Sequence, residues 1–320
     1  MNSLVKKRGV KIVEGTVLFL LTIFLSGCKK MVVLDPKGPV GIEQAFLIKL
    51  AFFLMLIVVI PVFAMIIWFS VRYRASNKKA TYKPKWAHSN AIEVVVWGVP
   101  VLIIAVLGYI CWDSTNRLDP YKPLQSENKP LEIDVISTDS DWLFIYPEYG
   151  VASINEMTFP VNTPLNFRLT SGSVMTSFFI PALGSQMYVM AGMQTKLHLM
   201  ASELGTYRGE NVVYSGNGYA GMHFKAISST QQAFANWVKQ TKASADTLSL
   251  DRFNQINEMY NINHPATAFS SVEPDLFKKV IKKNMHWMPE QKNMKGMSGN
   301  ESAMESHSHG GMNKAVKMEE

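Results

Sequence analysis

A carboxylate set where a helix enters an apolar run can pass protons between water and a protein interior. Glu93 is so placed, immediately before Val94 to Trp112, an uncharged stretch. Asn90-Ala-Ile-Glu93 also has capping-box spacing, with Asn90 as cap and Glu93 reaching back to its backbone amide. The two roles are compatible. Thiol chemistry is confined to two cysteines. Cys28 ends Leu25-Ser-Gly-Cys28, where small residues let a peptidase grip the backbone and the thiol can form a thioether to a diacylglycerol. Cys111 lies inside an apolar run, so no disulfide framework exists. Soft-metal ligands collect near the C-terminus: Met294, Met297, Met304, His307, His309, Met312 and Met318. Loosely spaced thioethers and imidazoles can capture copper, although the plain reading of such a polar, Gly- and Met-rich stretch is a solvated low-complexity tail. His198, in a strand-like run, and His223 read as structural histidines, and Met222 as an apolar plug, since one thioether cannot hold copper.

The elements that carry these residues follow from hydropathy and charge. Of 320 residues 18% are charged, against about 25% in soluble proteins, which places part of the chain in a membrane. Lys6, Lys7, Arg8 and Lys11 precede a short apolar run, Gly15 to Leu25, as in an export signal that ends at Cys28. Leu50 to Val71 and Val94 to Trp112 are the spanning runs, interrupted by Pro61 and Pro100. Between them lie Arg72, Arg74, Lys78, Lys79, Lys83 and Lys85 with no acid. That is the positive-inside pattern, so the formal charge of +7 sets orientation and does not point to nucleic acid. The chain enters from outside, turns through the basic loop and returns outward.

After Trp112 short runs rich in β-branched and aromatic residues predict strands, among them Leu131 to Ile136, Trp142 to Pro147, Leu165 to Thr170 and Lys196 to Met200. They suggest a small antiparallel sandwich or barrel. Beyond Ser229 the period turns helical at Gln232 to Lys239 and Leu250 to Met259, and Pro274 opens a third helix running to about Asn284. The expected organisation is a signal peptide over 1–27, an N-terminal segment with a transmembrane hairpin over 28–115 (helices about 45–71 and 92–112), an external β domain over 116–229, a helical extension over 230–288 and a disordered tail over 289–320.

Tyr207-Arg-Gly-Glu-Asn-Val-Val-Tyr-Ser-Gly-Asn-Gly-Tyr-Ala-Gly-Met222 resembles the loop Tyr-x-Gly-Gln-Cys-x-Glu-x-Cys-Gly-x-x-His-x-x-Met that builds the dinuclear copper site of cytochrome c oxidase subunit II. Tyr207, Gly209, Gly216 and Met222 keep the frame. The cysteine positions hold Asn211 and Ser215, the glutamate position Val213 and the histidine position Tyr219, whose ring would fill the former site. The other family histidine lies in a His-Ser-Phe-x-x-Pro segment, matched here by Thr176-Ser-Phe-Phe-Ile-Pro181. The resemblance therefore implies a vestigial copper site at Thr176, Asn211, Val213, Ser215, Tyr219 and Met222.

Further runs carry the likeness: Leu34-Asp-Pro-Lys-Gly38, Tyr73-Arg-Ala-Ser-Asn77, Phe144-Ile-Tyr-Pro147 and, most specific, Gly184-Ser-Gln-Met-Tyr-Val-Met-Ala-Gly-Met-Gln-Thr195. Together with the C-terminal helices they resemble subunit II of the cytochrome bo-type ubiquinol oxidases, in the haem–copper oxidase superfamily. That resemblance implies a membrane-anchored α+β chain: a two-helix transmembrane hairpin, a cupredoxin-like Greek-key β-sandwich and a short helical extension. It implies a lipid-anchored inner-membrane protein with its C-terminal domain in the periplasm. No cofactor is expected in this chain; haems and copper belong to subunit I, which also holds the quinol site. Subunit I, smaller membrane subunits and the bilayer are the implied partners, and Glu93 matches a glutamate at a proton-uptake pathway. In copper-bearing relatives a Gln-Trp-x-Trp segment receives electrons from cytochrome c; here Asp139-Ser-Asp-Trp142 puts Ser140 at the receiving position and leaves Trp142 as a core residue, so cytochrome c is not an expected partner. The rival readings are a copper-bearing electron carrier and an envelope lipoprotein that delivers copper through its tail.

Cys28 is expected to be the first residue of the mature chain. Intact mass should show residues 1–27 removed and a lipid added, and Cys28→Ala should block processing while the helices keep the protein in the membrane. An unmodified chain that retains Met1 contradicts this.

Overall fold

The computed structural model describes residues 31–77, 81, 89–258 and 264–285. Cys28 and residues 286–320 lie outside them.

Two long helices come first. Helix α1 spans Pro39–Arg72 and α2 Asn90–Arg117, with Pro61 and Pro100 inside them. Both are long and apolar enough to cross a membrane, and the most apolar stretch of α1 has no buried residue. The 34 residues of α1 extend about 51 Å at 1.5 Å per residue, well beyond a hydrocarbon layer of about 30 Å. The helices thus outrun the expected 45–71 and 92–112. The surplus of α1 is at its N-terminal end, where Val40, Gly41 and Ala45 are buried. The first turns form against protein, and only the later turns are left for lipid.

The β domain has ten strands: β1 Leu131–Ser137, β2 Trp142–Tyr146, β3 Val151–Ile154, β4 Glu156–Pro160, β5 Leu165–Ser171, β6 Thr176–Phe178, β7 Met187–Val189, β8 Thr195–Leu199, β9 Gly205–Glu210 and β10 His223–Ser229. Then come α3 Gln231–Lys242, β11 Thr247–Leu248, α4 Leu250–Glu258, β12 Thr267–Phe269, β13 Ser271–Val272 and α5 Leu276–Asn284. One sheet runs β12-β3-β2-β1-β5-β8 and faces another ordered β4-β10-β9. The sandwich is not wholly antiparallel, as the strand spacing had suggested. β1 pairs parallel with β5, and β10 with β4, because the chain changes sheets between strands that would otherwise form hairpins. Asn155 makes one such change: at φ 56 it separates β3 in the first sheet from β4 in the second. The left-handed region is open to Asn because its short polar side chain bonds locally, and here Asn155 Oδ1 accepts from the Trp142 amide at 2.9 Å.

Between the sheets Trp142, Phe144, Phe167, Phe178 and Phe224 form an aromatic core. A second core lies on the other face of the large sheet. There Ile136, Leu143, Ile145 and Ile154 meet Phe253 and Ile256 of α4, Phe269 of β12, and Leu276, Phe277 and Val280 of α5. This is why β1 and β2 bury nearly every residue instead of alternating. The C-terminal extension is therefore a third layer with its own edge strand, β12, paired to β3, where helical periodicity alone had suggested only helices. Its last helix starts at Leu276, after Asp275 in the left-handed conformation (φ 57), and not at Pro274. Arg168 on β5 reaches this layer: it makes a two-pronged bond to Asp134 and lies 5.9 Å from the Phe277 ring centroid. Burial pushes the Asp134 carboxyl above its usual range, and Arg168 opposes the shift.

The helical hairpin is fastened to the sandwich at the head of α1. The Lys37 amide donates to the Ala182 carbonyl (2.6 Å), the Gly41 amide to Leu183 (3.0 Å), and the Ser202 amide to Lys37 (2.7 Å). Val40 inserts into the sandwich core. A Cβ on Gly38 would lie 2.2 Å from the Met200 carbonyl oxygen, a backbone atom that cannot swing away. Gly38→Ala should accordingly cost about 1–3 kcal/mol and lower the midpoint of thermal unfolding. Gly98→Ala, where a Cβ meets nothing within 4 Å, should not. Equal midpoints for the two variants would show that this joint does not bear on stability.

Candidate functional site

Strands β9 and β10 pair antiparallel up to Glu210 opposite His223, and the chain between them leaves the sheet as a loop. Gly209 is required in the frame: a Cβ there would lie 2.0 Å from the Phe224 ring, which crosses that point of β9. Gly216, at φ 112, makes the turn that L-residues avoid. A short 3-10 turn over Tyr219–Gly221 brings the chain back, and the Asn211 amide closes the loop on the Met222 carbonyl at 3.0 Å.

The base of this loop is built on Asn211, which is 5% exposed. Its side-chain amide donates to Ser215 Oγ (3.0 Å) and to the Met222 sulfur (3.4 Å). Its carbonyl oxygen accepts from the Ser177 amide (2.9 Å) and the Val213 amide (3.1 Å). Those four bonds use both donors and both lone pairs of the amide. Ser177 answers with its hydroxyl, which accepts from the Val212 amide at 3.1 Å. Ser215 Oγ is 4.0 Å from the Met222 sulfur.

Asn211, Ser215 and Met222 thus share one cluster, joined by the backbone of Val213. Thr176 is next to it but bonds elsewhere: fully buried, it donates from Oγ1 to Ser137 Oγ at 2.8 Å. The Tyr219 ring is half-buried and packs on Tyr214 at a centroid distance of 5.8 Å. The donor set is one thioether, one amide and three hydroxyls. A dinuclear copper centre bridged by sulfur needs thiolates and imidazoles. The residues present do not fit that group: Thr176, Asn211 and Ser215 are engaged in hydrogen bonds and Tyr219 in ring packing.

The turn between β1 and β2 lies below the loop. A Cβ on Gly218 would meet the Asp139 carbonyl oxygen at 2.7 Å and the Ser140 Cβ at 3.2 Å. Ser140 is 2% exposed and Trp142 fully buried, edge-on to Phe178 and Phe224. Beside them is a network that sequence reasoning missed. The buried Asp141 carboxylate accepts from Asn155 Nδ2 (2.6 Å) and the His264 amide (2.9 Å), and pairs with His264 Nδ1 (2.6 Å). It joins the β1–β2 turn to the segment before β12. An acid among polar residues in a turn gave no signal of it, because its partner is more than a hundred residues away. Ser177 was within reach: it stands beside Thr176 in the matched run.

His223 is exposed at the start of β10, and His198 Nδ1 bonds the Pro120 carbonyl oxygen at 2.8 Å. Glu93 is exposed in the first turn of α2. The capping box expected at Asn90 does not form. Ser89 is the N-cap, without a side-chain cap bond, and the Glu93 amide already donates to the Ser89 carbonyl. The helix begins one residue early, so Glu93 stands one position past the N3 site that a capping box requires. Cys28 and the Met/His residues of the tail lie outside the described residues.

The family described as COX Aromatic Rich Motif matches residues 242–288, the stretch that supplies Phe253, Phe269 and Phe277 to the second core. Cytochrome bo(3) ubiquinol oxidase subunit 2 of Pseudomonas aeruginosa is 53% identical over 264 residues, which is 82% of this chain and 79% of that protein. Ubiquinol oxidase subunit 2 of Acetobacter aceti is 47% identical over 263 residues, 82% of this chain and 85% of that protein. Among solved structures, the periplasmic domain of subunit II of cytochrome oxidase (CoxB) of Bradyrhizobium japonicum has 22% identity and a TM-score of 0.34, over 37% of this chain and 94% of that chain.

Because the loop keeps its closure and glycine turns, restored ligands should rebuild a metal site. A variant with Thr176→His, Asn211→Cys, Val213→Glu, Ser215→Cys and Tyr219→His should bind two coppers and gain intense visible absorption. The unaltered chain should show no thiolate-to-copper band. A variant that folds without taking up copper would show a loop geometry unfit for metal.

Proposed function

The chain belongs to the ubiquinol oxidase subunit 2 family, and we propose that it is the non-catalytic second subunit of a proton-pumping complex that oxidises ubiquinol and reduces dioxygen to water. The supporting observation is Asn211. Where a copper-bearing subunit needs a bridging thiolate, this chain has a buried amide with every hydrogen-bonding position taken. Such a loop receives no electrons. A quinol donor explains why none need pass here, since it is lipid-soluble and delivers electrons within the bilayer. Haems, copper and the quinol site then reside in subunit I.

The role left to this chain is structural and protonic. The outer faces of α1 and α2 carry bulky apolar side chains in the open, among them Phe52, Phe63, Trp97 and Leu102, a surface for subunit I, smaller membrane subunits and lipid. The sandwich, held to the head of α1, covers the periplasmic side, with the basic loop in the cytoplasm and Cys28 lipidated at the outer face. Glu93 then stands at the cytoplasmic end of α2. It makes no capping bond, so its carboxylate is available to exchange protons with water and hand them to subunit I.

A complex purified through a tag on this chain should carry haem, and in it Glu93→Ala should lower turnover by about tenfold while thermal unfolding stays unchanged. Glu93→Asp should retain much of the rate. Absence of haem would refute the subunit assignment; normal turnover in the alanine variant would refute proton uptake through Glu93 alone.

A further inference from the structure

We propose that a cavity between the outer helix ends and the sandwich binds the headgroup of a phospholipid, from the leaflet on the sandwich side, that carries both a phosphate and an amine. The cavity holds about 210 Å³ and is lined by Val40 of α1, Arg117 at the end of α2, Leu118, Asp119, Lys122 and His198 of β8. Its depth in the membrane follows from helix geometry. Arg117 lies five residues past Trp112, the end of the uncharged run, hence about 7.5 Å above it. The headgroup layer on each side of a bilayer is about 5–7.5 Å thick. The cavity therefore opens at headgroup level.

Its charge selects among headgroups. Arg117 contacts Asp113 (2.8 Å) and Glu43 (3.7 Å), and Lys122 bonds the Asn116 carbonyl oxygen. The Arg117 side chain is 55% exposed, so its guanidinium can bond a phosphate from the open side. Asp119 stands in the same wall. The lining itself has two cations, Arg117 and Lys122, and one carboxylate, Asp119, while Glu43 and Asp113 pair with Arg117 from outside it. A purely anionic headgroup leaves Asp119 opposed and must share Arg117 with the two carboxylates already on it. A zwitterion places its phosphate on Arg117 and Lys122 and its ammonium toward Asp119. Val40 and Leu118 supply the apolar floor for the glycerol and first methylenes. The wall is held in place, since His198 Nδ1 bonds the Pro120 carbonyl oxygen at 2.8 Å and Gln44 bonds Ser185 across the α1–sandwich joint. The proposal rests on the membrane placement of the two helices and not on electron transfer.

The test uses the complex isolated through this chain, washed in detergent, with phospholipid per protein measured by mass spectrometry. The unaltered complex should keep about one more phosphatidylethanolamine per chain than the double variant Arg117→Gln, Lys122→Gln. Gln125→Trp, which fills the cavity without removing a charge, should lose the same lipid while haem content and thermal unfolding stay as they were. Millimolar inorganic phosphate should not displace it, and phosphatidylglycerol should not replace it. Equal lipid content in all three proteins overturns the proposal. So does displacement by phosphate, replacement by phosphatidylglycerol, or a map of the complex in which a side chain of another subunit fills the cavity.

Discussion

The loop between β9 and β10 buries only Asn211 and Met222, its other residues being half-buried or exposed, and it must be ordered without a packed interior of its own. Ordering such a backbone costs about 1–2 kcal/mol per residue. The bonds of Asn211 offset part of that cost where they matter most, at the base where the chain leaves the sheet and returns. Each is worth about 1 kcal/mol net, and breaking any of them leaves part of the buried Asn211 amide unsatisfied. Through Ser177 the same residue fixes β6 against the loop, and through Met222 it fixes the first residues of β10. Gly218 then settles on the β1–β2 turn, where Asp141 ties in the extension. One amide thus binds these segments together.

A different constraint governs the other half of the chain. In lipid every backbone group must be satisfied internally, so the two apolar runs have to be helices, and their length beyond the bilayer has to be stabilised by something other than lipid. The structure meets this by packing the first turns of α1 on the sandwich, with Gly38 and Gly41 where the helix backbone comes against the Met200 and Leu183 carbonyls. Gly184, at φ 149, faces Val40 across this joint. The sandwich is thereby set directly above the hairpin, and any partner that grips the exposed faces of α1 and α2 also receives the β domain in a fixed orientation.

Much of this was legible in the residues. Uncharged runs and a basic loop located the helices because hydrophobicity over that length has few other uses. Strand positions came within a residue or two at β1, β2, β5 and β8. What escaped was long-range. Parallel pairing of β1 with β5 depends on where the chain changes sheets, and a single Asn155 signals that weakly. Strand β12 is three residues long and exists because β3 offers it an edge, so no local pattern announces it. The capping box at Asn90 failed by one residue, within the uncertainty of any helix start. In the candidate site, the resemblance to a copper-binding loop put Asn211, Ser215 and Met222 together, but did not show that Asn211 would be the centre, nor that Thr176 would turn to Ser137.

The identity of the electron donor tests the whole account most directly. Oxygen consumption by the complex isolated through this chain should run on ubiquinol and not on reduced cytochrome c, because the loop at Asn211 has neither thiolate nor imidazole and Ser140 is buried beneath Gly218. Rapid oxygen consumption on reduced cytochrome c would mean that electrons do cross this domain, and would contradict the account.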